Sequence, residues 1–280
     1  MSRTILVPLD GSETATGVLE RALPLLREPE LELELLGVVP AGGAAAEVEA
    51  AQDRLQAALE GAAARLGAQG RPAKVQVVRG DPAGAILERV EALQPELVIM
   101  ATHGRSGVER LIRGSVAERV LRHSSAPLLL LNPRALAGGP LTPRRILVPL
   151  DGSALGEEIL PLVTRVAKAF GSELVLLRVE PLSWSDMETG LPQLKWDPSQ
   201  VLASLEPQEK RLRAAGLTVQ RRAAYGIEAA EILRAAEEVD LVAMSSHGRS
   251  GPSRWWFGSV AEQVLRHCAR PLLVYRHRQS

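Results

Sequence analysis

A chain of 280 residues with 46% hydrophobic content is long enough for two cores of the common domain size, and its 33 basic and 33 acidic side chains leave no global field to hold nucleic acid or an anionic membrane surface. No apolar run reaches the about 20 residues needed to span a bilayer. The chain also enters a strand-like run directly after Met1-Ser2-Arg3 without a signal-peptide pattern, so a cytoplasmic protein is expected. The single cysteine, Cys268, excludes an internal disulfide and a cysteine-based metal cluster, and its apolar helical surroundings read as a core position.

Short β-rich apolar runs alternate with longer segments of helical period, the pattern of a parallel sheet covered by helices. Strands are predicted at Thr4 to Leu9, Leu31 to Val39, Lys74 to Arg79, Glu96 to Ala101 and Pro127 to Leu131. Helices are predicted between them at Glu13 to Leu26, Ala44 to Leu66, Pro82 to Leu93 and Ser115 to His123. Asn132 to Pro143, rich in Pro, Gly and Ala, has no period and reads as a linker. Beyond it the pattern repeats, with strands near Arg145, Glu173, Leu217, Asp240 and Pro271. Residues 1–134 and 144–280 are therefore expected as two tandem α/β domains, each an open, doubly wound, five-stranded parallel sheet, joined by 135–143.

The repetition is literal at three places. Ile5 to Ser12 returns as Ile146 to Ser153, His103 to Gly107 as His247 to Gly251, and Gly114 to Glu118 as Gly258 to Glu262. Their order and spacing are kept, so one domain has been duplicated and two copies of one site are expected. The halves differ in Pro181 to Pro198, which holds Trp184 and Trp196 and reads either as a lid over a site or as a packing surface. All the aromatic residues lie in the second half; Trp255, Trp256 and Phe257, at the positions of Leu111, Ile112 and Arg113, read as packing residues, with stacking on adenine the lesser alternative.

Ligands of open parallel sheets bind beyond the carboxyl ends of the strands, where the strand order reverses. Asp10 and Asp151 follow the first strand of each half, and the His103-Gly104 and His247-Gly248 loops follow the fourth. The aspartates suit two roles: capping the first helix, or meeting a ribose hydroxyl or a magnesium ion. Gly104, Gly107 and Gly114 let backbone approach a ligand, and the helix beginning at Ser115 offers unpaired N–H groups, an arrangement suited to phosphate. Gly248, Gly251, Gly258 and Ser259 repeat it, with Arg105 and Arg249 adding charge at the rim. Ser115 and Ser259 read equally as helix N-caps. His103 and His247 stand without a second ligand at metal-binding spacing. There is no P-loop signature, no dinucleotide glycine fingerprint after the first strand and no hydrolase elbow.

On these motifs the chain resembles a tandem universal stress protein. That family carries Val-Pro-x-Asp-x-Ser after strand one and G-x-x-G-x9-G-[ST] after strand four. Gly104 with Gly114-Ser115 and Gly248 with Gly258-Ser259 fit the second motif, while its first glycine is Ala101 in one copy and Ser245 in the other. The resemblance implies ATP binding with magnesium in each domain. Asp10 and Asp151 would face ribose and metal, Val38 and Val179 the adenine, and Pro8, Leu9, Pro149 and Leu150 the base and ribose. The glycine loops and Ser115 and Ser259 would hold phosphates, and Ala101, His103, Arg105, Val116, Ser245, His247, Arg249 and Val260 complete the candidate set. The family also implies pairing through the last strand, so that the tandem chain would form an intramolecular pseudo-dimer, with a further homodimer open. The expected function is nucleotide-dependent regulation in a stress response; a slow ATP hydrolase and a nucleotide-free interaction module with one vestigial cleft are the alternatives.

Overall fold

The computed structural model describes residues 3–26, 31–102, 115–136, 139–182, 196–246 and 258–276. The chain divides into two compact units, Met1–Leu141 and Thr142–Ser280.

In the first unit the strands are β1 (Arg3–Leu9), β2 (Leu31–Val39), β3 (Ala73–Arg79), β4 (Leu97–Ala101) and β5 (Leu128–Leu131). They lie in the order β3-β2-β1-β4-β5 with every pairing parallel, so the order reverses between β1 and β4. Parallel strands with helices laid against them are buried along their whole length, which explains why β5 is four leucines and each is buried. The helices are α1 (Glu13–Ala22), α2 (Ala45–Ala68), α3 (Pro82–Leu93), α4 (Ser115–His123) and α5 (Pro133–Leu136).

Two differences from the sequence expectation have local causes. The first helix is α only to Ala22 and tightens into a 3-10 turn at Leu23–Leu26, because Pro24 lacks an N–H and crowds the preceding turn. The linker is not structureless: Asn132 Oδ1 accepts the N–H of Ala135 at 2.8 Å and its carbonyl accepts that of Leu136 at 2.9 Å, winding the turn α5. Ala135 and Leu141 are buried, and Leu141 N–H donates to the Arg21 carbonyl, so this stretch packs with the first unit.

The second unit repeats the architecture with β6 (Arg145–Pro149), β7 (Glu173–Pro181), β8 (Thr218–Gly226), β9 (Leu241–Ser245) and β10 (Leu272–Tyr275). Their order is β8-β7-β6-β9-β10, again parallel throughout. Its helices are α6 (Ala154–Glu157), α7 (Leu160–Phe170), α8 (Pro198–Ala203), α9 (Glu206–Ala214), α10 (Glu228–Ala236) and α11 (Ser259–His267). Pro161 near the start of α7 separates it from α6, and Gly171, left-handed at φ 64°, ends it. Cys268 is buried, and burial pushes its thiol above the ordinary range, as a core cysteine should behave. Among the described residues no helix is long and apolar enough to cross a membrane.

Candidate functional site

In the second unit β6 stands between β7 and β9, and the chain leaves its carboxyl end through Leu150, whose N–H still donates to the Leu177 carbonyl at 2.8 Å. The next three residues form a compact turn. Asp151 Oδ1 accepts both the N–H of Ser153 at 3.0 Å and its hydroxyl at 2.7 Å, while Ser153 Oγ accepts the N–H of Gly156 at 2.9 Å. The helix cap is therefore Ser153, and Asp151 orders the cap rather than supplying it. Gly152 has φ 80°, and a Cβ there would collide with Arg178 Nη1. The first unit repeats the turn: Asp10 Oδ1 takes the Ser12 N–H at 3.0 Å and hydroxyl at 2.6 Å, and Gly11 has φ 78°.

On the other side, β9 ends at Ser245, whose hydroxyl donates to the Gly156 carbonyl at 3.2 Å and ties the strand end to α6. Buried Ser246 donates its N–H to the Tyr275 carbonyl and accepts that of Gly258 at 3.1 Å. Gly258, rather than Ser259, is the N-cap of α11, and a glycine brings no side chain to cap it.

These ends enclose a cavity of about 280 Å³. Pro149, Leu150, Asp151, Val179, Ser245, Gly258, Ser259 and Val260, all candidates from the sequence, line it. Sequence reasoning missed Met244, Ser246 and Ala261, which adjoin candidates in the chain, and Gly156, Leu177 and, on α10, Glu228 and Ile232, which adjoin none. One signal pointed to α10: Ile232-Leu233 repeats Ile86-Leu87 of the first half. The lining is graded by topology. Toward β7 it is apolar, through Leu177, Val179 and Ile232; toward β9 Ser245, Ser246 and Ser259 at the start of α11 stand among Met244, Val260 and Ala261; Asp151 lies between.

In the first unit Pro8 and Leu9 end β1 and Asp10 follows it, Val38 stands one residue before the end of β2, Ala101 ends β4, and Ser115 and Val116 open α4. Thr102 N–H donates to the Leu131 carbonyl, as Ser246 does to Tyr275. Asp81 caps α3 by accepting the Gly84 N–H at 2.8 Å and pairs with Arg119 of α4 at 2.8 Å. His103, Gly104, Arg105, Gly107, Gly114, His247, Gly248, Arg249 and Gly251 lie outside the described residues, as do Trp184, Trp255, Trp256 and Phe257. The segment weighed as lid or packing surface is also outside them from residue 183 to 195; at its margins Leu182 N–H donates to the Gly226 carbonyl, and Trp196 stacks obliquely on Tyr225 with centroids 5.9 Å apart. Among the described residues no three His, Cys, Asp or Glu side chains converge as a metal cage.

Known proteins share this layout. A universal stress protein of Methanocaldococcus jannaschii is 30% identical over 138 residues, spanning 46% of the chain and 81% of that protein. One of Mycobacterium bovis is 28% identical over 189 residues, spanning 65% of the chain and 62% of the relative, so this match covers less than two thirds of its length. The crystal structure of a universal stress protein from Archaeoglobus fulgidus superposes with a TM-score of 0.77 at 25% identity and covers 99% of both chains. The family model matches twice, over residues 1–132 and 142–276, and the chain accordingly belongs to the universal stress protein family.

Proposed function

We propose that the protein binds ATP or another adenine nucleotide with Mg²⁺ in the cleft of each unit, and acts in the cytoplasm as a nucleotide-dependent regulator of a stress response. The observation that carries this reading is the grading of the second cavity: an apolar wall, then a carboxylate, then a helix N-terminus without a side-chain cap. A purine would lie against Leu177, Val179 and Ile232, the ribose near Asp151, and the phosphates at the start of α11, where N–H groups and the helix dipole favour negative charge. About 280 Å³ is near the lower end of ligand cavities, roughly 300 Å³ upward, which suits the nucleoside with phosphates running outward. Magnesium commonly takes most of its oxygens from phosphates and water with one or two carboxylates, so Asp10 or Asp151 suffices without a metal cage. The bound ion would neutralise phosphate charge.

Gly104, Gly107, Gly114, Gly248 and Gly251 enter this reading through their motif. Occupancy is read as a signal that changes shape or partner choice. Isothermal titration calorimetry with ATP and Mg²⁺ tests the proposal: saturable heat is expected, and none at millimolar nucleotide overturns it.

A further inference from the structure

Glu228 is the first residue of α10 and lines the cavity, yet at the matching position of α3 the first unit has Pro82. A glutamate in a first helical turn has an ordinary use, since its charge complements the helix dipole. Its place in the cavity is more specific than that. Gly226, two residues before it, is in register with Pro181, two residues beyond Val179 on β7. Helix α10 therefore starts beside the apolar end of the cavity, and Glu228 and Ile232, one turn apart, both line it. The start of α11 reaches the cavity from the β9 side.

An ionised carboxylate only accepts hydrogen bonds. Beside a purine it attracts an exocyclic amino group and repels an exocyclic oxygen. Glu228 is part-exposed, so the discrimination is expected to be about tenfold rather than the several orders of magnitude of a fully enclosed site. We propose that Glu228 selects the base in the second cleft, favouring a purine with an amino group at its 6-position, and that the first cleft, with Pro82 there, lacks this selection. This inference rests on the nucleotide reading above.

The test compares ATP with inosine triphosphate, which carries oxygen where ATP carries the amino group, by calorimetry on the full chain with Mg²⁺. Three proteins are compared: the unaltered chain, Glu228→Gln, whose amide both donates and accepts, and Glu228→Pro, which installs the first unit's residue at a helix position that tolerates proline. Thermal unfolding of each checks folding. A site with about tenfold preference for ATP, falling below about threefold in both variants, is the expected result. If ATP binds and its preference over inosine triphosphate is the same in all three, Glu228 does not select the base, and the nucleotide reading stands. If neither nucleotide binds at millimolar concentration, the nucleotide reading fails and the inference with it.

Discussion

The Asp-Gly-Ser turns show how much a few residues can determine by local chemistry. One carboxylate oxygen holds a serine two residues on, and a glycine between them takes a positive φ in both copies. Gly152→Ala forces a left-handed backbone on alanine and pushes the Arg178 guanidinium aside, and should cost about 1–2 kcal/mol, mostly from the backbone, and weaken nucleotide binding in the second unit. Urea unfolding followed by tryptophan fluorescence reads the stability, since every Trp is in that half. A change within a few tenths of a kcal/mol would mean that Arg178 simply swings away and the strain is trivial. The turn was legible in the sequence because its partners are two residues apart. The Glu34–Arg89 pair was not, because its partners are 55 residues apart and Glu34 lies in the Glu-Leu alternation of β2, which reads as a solvated face.

That pair is bidentate, at 2.6 and 2.7 Å, with Glu34 buried; its hydrogen bond to Glu34 holds the Arg89 guanidinium above its ordinary range. The second unit manages without it. Strand register places Val175 opposite Leu147 as Glu34 stands opposite Leu6, and Ala235 holds the helix position of Arg89. Arg89→Ala alone strands a buried carboxylate and should cost about 3 kcal/mol, whereas Glu34→Val with Arg89→Ala should cost under about 1 kcal/mol. Far-ultraviolet circular dichroism during urea unfolding measures both, and equal losses would show that the pair itself, rather than its desolvation, supports the fold.

Among the elements, α3 and α10 are the same helix with different starts. Asp81 caps α3, but Ile227 at the α10 cap makes no side-chain bond and is 60% exposed. Ile227 already has the extended backbone of a cap, φ −76° and ψ 116°, so Ile227→Asp needs no rearrangement. It should stabilise the second unit by about 1 kcal/mol and raise its unfolding midpoint by about 3 °C. Ile227→Ala is the control: an equal gain from alanine would credit the loss of an exposed apolar side chain and refute the cap. The same local rules explain which elements were legible. Pro82–Leu93 and Ser115–His123 were delimited to the residue, since caps and proline punctuate them in sequence. The apolar period of the first helix continues across Pro24 and so predicts too long a helix, and α5, a single capped turn, is too short to display a period.

For the whole molecule, duplication supplies two copies of the Asp-Gly-Ser turn on the same strand order, and divergence has made their surroundings different. Ala101 corresponds to Ser245 in the repeat, Pro82 to Glu228, and the Asp81–Arg119 pair has Ile227 and Gln263 in its place. Ser245 adds a hydroxyl bond to α6 that alanine cannot make. On the nucleotide reading, these differences make two sites of unequal affinity the expected outcome. The glycine before each phosphate-side helix allows a direct test. Gly258 has φ −56° and ψ 144°, a conformation open to any residue, so Gly258→Trp places bulk at the mouth of α11 without forcing the backbone. The unaltered chain should bind two ATP, Gly258→Trp one, Gly114→Trp one and the double variant none, as calorimetric stoichiometry reports. Two ATP bound to Gly258→Trp would place the nucleotide outside the graded cavity. One ATP on the unaltered chain, abolished by Gly258→Trp and unaffected by Gly114→Trp, would mean that the first cleft has lost its ligand even though it kept the Asp-Gly-Ser turn.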